Sequence, residues 1–92
     1  MTTLSDLQAT AIEFYKVRAA IISETIGNLP ERGRRLAVLT RKFEARDECN
    51  GVRVEVIVPQ YRMVNRQPHF RFRYVAGGKQ VSEATARALV EG

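Results

Sequence analysis

From Asn50 to Val58 the chain reads Asn-Gly-Val-Arg-Val-Glu-Val-Ile-Val, and few folds can accommodate that run. Val52, Val54, Val56 and Val58 recur with the two-residue period of a pleated strand, whereas Arg53 and Glu55 fall on the other face. A half-buried strand is the expected outcome. Asn50-Gly51 immediately before it supplies two residues that tolerate positive φ, so Asp47 to Gly51 is predicted to be the turn of a hairpin. Pro59 lacks an amide donor and requires an edge or a bulge, and a one-residue bulge would bring Tyr61 and Met63 onto the inward side. Asn65 to Pro68 then turns the chain. Phe70, Phe72 and Tyr74 alternate with Arg71 and Arg73, which predicts a second half-buried strand with aromatics inward. Gly77-Gly78 turns it again.

Helices flank this β region. Ser5-Asp6-Leu7-Gln8 fits a capping box, and Ile12, Tyr15, Ala19, Ile22 and Ile26 follow at spacings of three and four, with Leu7, Ala11, Phe14 and Ile21 in an adjoining row. A long first helix is predicted, ending near Ile26, where Gly27, Asn28 and Pro30 oppose continuation. Residues 31 to 46 are ambiguous: Leu36, Leu39 and Phe43 fit a helix, but Leu36 to Thr40 also reads as a buried strand, which is the favoured reading. Ser82, followed by Glu83, is a good N-cap for a short last helix that must dock through residues such as Leu89. The expected fold is α+β, one small domain over residues 1 to 92, with a long N-terminal helix, a three-stranded antiparallel meander and a short C-terminal helix. That α-β-β-β-α order, together with a basic surface, resembles the double-stranded-RNA-binding domain in topology. The residues depart from that family's pattern, because Ser82-Glu83-Ala84-Thr85 stands where the family carries a lysine cluster.

Charge is distributed unevenly. The chain has 92 residues, 15 Lys/Arg and 10 Asp/Glu, for a net charge of +5. Residues 1 to 31 and 82 to 92 are slightly acidic. Residues 32 to 81 carry twelve Lys/Arg against Glu44, Asp47, Glu48 and Glu55, and no acid occurs from Val56 to Gln80. A basic block of this kind attracts a nucleic acid or an acidic protein surface, although twelve Arg against three Lys is also what a GC-rich genome yields. The candidate binding residues are Arg53, Arg62, Arg66, Arg71, Arg73 and Lys79. Guanidinium forks on one outer sheet face can grip phosphates bidentately. In the commonest hairpin closure Arg62 would stand nearly opposite Arg71, and two like charges across a ladder call for an anion between them. Tyr61 and His69, near the turn, are candidates for stacking on bases.

The inventory argues against catalysis. One His, one Cys and two Asp give no metal-ligand spacing, no nucleophile motif and no paired carboxylates, so no enzyme, no metal and no cofactor is expected. Gly77-Gly78-Lys79 lacks the rest of a phosphate-binding loop. The leading expectation is a non-catalytic module that engages nucleic acid or a nucleoprotein. Its competitor is a small phage-type inhibitor or adaptor, anti-CRISPR-like, that binds a host protein complex. A third reading is a homodimer formed through Ile12, Tyr15 and Ile22 of the first helix. The lone Cys49, the absence of a basic leader and the short apolar runs suggest a cytoplasmic protein, in the host cytoplasm if phage-encoded, with no membrane partner.

Overall fold

The computed structural model describes residues 2–44, 46, 48–57, 62–64 and 67–92, with the backbone alone at 62–64 and 67–69. The first helix, α1 (Leu4–Glu24), starts two residues earlier than the expected box places it. Thr3 is its N-cap: the Thr3 hydroxyl accepts from the Asp6 amide at 3.2 Å, and the Asp6 carboxylate accepts from the Thr3 amide at 2.9 Å. The reciprocal pair is therefore Thr3 and Asp6, not Ser5 and Gln8; Gln8 instead donates to the Tyr74 hydroxyl at 2.8 Å.

The described residues between 31 and 46 form no strand. Most of them lie in α2 (Leu29–Phe43), with Asn28 as N-cap accepting from the Glu31 amide and Pro30 in the first turn, where a missing N–H costs nothing. The same Pro30 that ends one helix thus opens the next. The contiguous run Leu36 to Leu39 resembles a buried strand, but the chain responds to the three- and four-residue spacing of Leu36, Leu39 and Phe43, which meet Phe14 and Ile21 of α1. The Phe14 and Phe43 rings pack edge to face, with centroids 5.4 Å apart. Between the helices, Thr25 is 2% exposed and donates to the Ile21 carbonyl. Arg32 reaches back from α2 to the Thr25 hydroxyl and the Ile22 carbonyl, both at 3.2 Å, so a cation meets the carbonyl end of α1.

The β region is larger than a three-stranded meander. Strands β1 (Glu48–Cys49), β2 (Val52–Val56), β5 (Phe72–Ala76) and β6 (Lys79–Val81) form one antiparallel sheet in the order β1-β2-β5-β6. β3 (Arg62–Val64) and β4 (Gln67–His69) form a separate two-stranded ribbon between β2 and β5. The β1–β2 and β5–β6 turns each place two residues at positive φ, Asn50 and Gly51 at 52° and 78° and Gly77 and Gly78 at 59° and 77°, as the tightest hairpin connection requires. Gly77-Gly78 thus leads into another strand before the last helix. The bulge expected at Pro59 falls outside the described residues.

α3 (Glu83–Glu91) is capped by Ser82, as expected. It docks through Ala86 and Val90, whereas Leu89 is 46% exposed; the expected anchor is one residue off the buried face. Asn50 also donates to the Leu89 and Val90 carbonyls, so a residue selected for its turn geometry also caps the end of α3. The second helix and the added strands remove the topological likeness to the double-stranded-RNA-binding domain.

Burial divides along α1. Its first half, through Leu4, Leu7 and Ala11, packs with Val52, Val54, Tyr74, Ala86 and Val90. Its second half, through Ile21, packs with Leu39 and Phe43. Phe43 is 1% exposed, and Phe43→Ala is expected to lower unfolding stability by about 3 kcal/mol in urea titration. Tyr74 is buried, and burial raises its phenol pKa, partly opposed by the Gln8 hydrogen bond. Because the folded pKa lies above the unfolded value near 10, the native state holds the proton longer, and stability falls as pH rises through and above that value. Tyr74→Phe should remove this alkaline loss, read as the urea midpoint at neutral and alkaline pH.

Candidate nucleic-acid interface

The β2–β5 register sets the outer face of the sheet. Arg53 stands across from Val75 and Glu55 across from Arg73, while Val54 and Tyr74 pair on the covered side. Arg53 and Arg73 therefore share the solvent face, as expected. Each also meets an acid there. The Arg53 guanidinium reaches Glu48 at 3.2 Å, and Arg73 donates through Nε and Nη2 to one Glu55 oxygen at 3.0 and 2.7 Å. Arg71, exposed just before β5, accepts through its backbone carbonyl from the Ile57 amide.

The other candidates are placed differently. Lys79 pairs with Ala76, so it belongs to the alternate set and lies at the sheet margin rather than among the outer arginines. Arg62 does not oppose Arg71. Its partner is His69, and these two form the basal rung of the β3–β4 ribbon, followed by Met63 with Pro68 and Val64 with Gln67. The ribbon pairs Val64 with Gln67, so Gln67 and Pro68 lie in β4 rather than in the expected Asn65 to Pro68 turn, and the register shifts by two residues. Tyr61 and Arg66 lie outside the described residues. Of the aromatics in the basic block, Phe72 and Tyr74 pack inward, and Phe70 meets Tyr15 edge-on at 5.8 Å, so none of these three offers a free base platform.

The residues considered for a dimer face lie on α1 and are partly buried. Ile12 is half-buried, Tyr15 packs on Phe70, and the Ile22 carbonyl receives Arg32. The large apolar side chains left most open are elsewhere: Ile26 and Leu29, at the tip of the α1–α2 hairpin, are 78% and 69% exposed.

Ion pairing identifies cations that the sequence pattern did not single out. Glu13 meets Arg46, Glu24 meets Arg35, Glu31 meets Arg34, and Glu83 and Glu91 both meet Arg87, in addition to the two pairs on the sheet. Lys16, Arg18, Arg41, Lys42 and Lys79 have no ion pair among the described residues. Arg41 and Lys42 belong to the last turn of α2, where both are exposed, and a strand over that segment would have placed them on opposite faces. Their signal was the helix-start sequence Asn28-Leu29-Pro30-Glu31, which fixes the helical spacing of everything after it.

A groove of about 340 Å³ lies between α1 and β2, lined by residues including Phe14, Arg18, Val54 and Val56. Among the described residues no group of three His, Cys, Asp or Glu side chains is placed to hold a metal ion, and no helix is long and apolar enough to cross a membrane. Because the Arg73–Glu55 pair is exposed, Arg73→Ala should cost no more than about 1 kcal/mol in urea unfolding. No protein-family model, curated protein or solved structure matches this chain.

Proposed function

We propose that the protein binds nucleic acid without catalysis, through phosphate contacts made by the β2–β5 hairpin and its ribbon. The observation that carries this reading is the union of charge and topology. The acid-free stretch from Val56 to Gln80 is the same stretch that leaves the main sheet as a two-stranded ribbon and returns as β5. This arm of the chain carries Arg62 on β3, with His69 opposite it in the register, and then Arg71 just before β5 and Arg73 within it, while Arg66 lies between them in the sequence. A two-stranded ribbon is an element that the major groove of B-form DNA admits, whereas the major groove of A-form RNA is too deep and narrow to be read in this way. Duplex DNA is therefore the favoured ligand. Contacts to phosphate give affinity and register with little sequence selectivity. Glu48 and Glu55 act as local competitors, and in exposed pairs they yield readily to a phosphate.

A second reading draws on the open tip at Ile26 and Leu29, since paired apolar side chains suit a protein surface better than a phosphate backbone. On that reading the chain is a small inhibitor or adaptor of the phage anti-defence kind, covering an acidic face of a host complex.

Fluorescence anisotropy with short mixed-sequence probes separates the two. Duplex DNA should bind more tightly than single-stranded DNA or duplex RNA, and affinity should fall steeply as salt rises. Arg71→Glu with Arg73→Glu should reduce the slope of log K against log salt by about 2. Glu55→Gln should tighten binding. No binding of any probe at low salt would remove the nucleic-acid reading and leave the inhibitor.

A further inference from the structure

We propose that the side of α2 turned away from α1 is a second phosphate-binding track, formed by Arg34, Arg41 and Lys42. This inference rests on the nucleic-acid reading and adds a site remote in sequence from the arm.

The helix itself separates the two sides. Leu36, Leu39 and Phe43 pack toward α1, and Arg32 bonds across to it. Arg34, Val38 and Arg41 follow at intervals of four and three, which places them in one row on a different side, with Lys42 next to Arg41. All four positions are exposed. Arg41 and Lys42 have no ion pair among the described residues, and Glu44, the nearest acid beyond them in the chain, has none either.

Arg34 distinguishes a binding track from ordinary helix electrostatics. Cations in the last turn, such as Arg41 and Lys42, complement the carbonyl end of any helix. Arg34 lies in the second turn, too far from the carbonyl end for the dipole to account for it. Its neighbours Arg32 and Arg35 have structural partners on α1, namely Thr25 with the Ile22 carbonyl and Glu24. Among the described residues Arg34 forms its ion pair with Glu31 of its own helix, and its side chain is 73% exposed, so a phosphate can replace that partner without disturbing the hairpin.

The spacing fits a polyanion. Arg34 and Arg41 are seven residues apart, a rise of about 10.5 Å, close to three base-pair steps of about 3.4 Å along a duplex axis. A helix lying beside one strand can therefore address separate phosphates from its two ends.

The test is the salt dependence of binding to a short mixed-sequence DNA duplex by the full chain, wild type against Arg41→Gln/Lys42→Gln. If both side chains meet phosphate, the slope of log K against log salt falls by about 1.8, and adding Arg34→Gln lowers it by about 0.9 more. An unchanged slope in a variant that keeps the wild-type urea midpoint overturns the track while leaving the arm intact. If the midpoint falls but the slope does not, the two cations serve only to end the helix, and the track is likewise overturned. Failure of the wild type to bind any nucleic-acid probe overturns the arm and the track together.

Discussion

The fold depends on α1 being buried twice. A chain of this size cannot fill one large core, so a single helix serves two small ones, giving Leu4, Leu7 and Ala11 to the sheet and α3, and Ile21 to α2. Each partner needs that helix more than it needs the other partner. The sheet would otherwise expose more of Val52 and Val54, and α2 would lose the α1 side chains that cover Leu39 and Phe43. The contact between Phe14 and Phe43 lies near the handover, where α1 leaves one core for the other.

Charge follows the same economy of elements. Most described acids already face an arginine, either across the sheet or along and between the helices, and the basic surplus is left where acids are scarce. These exposed pairs add little stability singly. Their larger effect is selective, because they subtract charge from Arg53 and Arg73 and leave Lys16, Arg18, Arg41, Lys42 and Lys79 without an ion pair among the described residues. A net charge of +5 becomes informative about a partner only after this subtraction.

Much of this was legible in the sequence. The alternation of Val52, Val54 and Val56, the Asn50-Gly51 turn and the inward Phe72 and Tyr74 follow from a period of two that no other local structure satisfies. The Ser82 cap was equally plain. The second helix was obscured because Leu36 to Leu39 is contiguous, and a contiguous apolar run has no period of its own; only the capping residues upstream decide it. β6 was missed because Lys79-Gln80-Val81 is short and mostly exposed, and it pairs only because Gly77-Gly78 folds it back onto β5. The arginines of the sheet could be placed on one face from alternation, but their engagement by Glu48 could not, since that contact depends on a two-residue strand across the Asn50-Gly51 turn.

Unequal partition of the core also bears on how the molecule opens. The sheet cluster joins residues from α1, β2, β5 and α3, whereas the helical cluster is centred on Ile21, Leu39 and Phe43. Opening the smaller cluster exposes less apolar surface, so α2 is expected to detach at lower free energy than the sheet. The tie that resists this is polar: Arg32 on Thr25 and the Ile22 carbonyl. A ligand that grips α2 from outside would then act as a splint, expected to raise the protection of its amides against exchange.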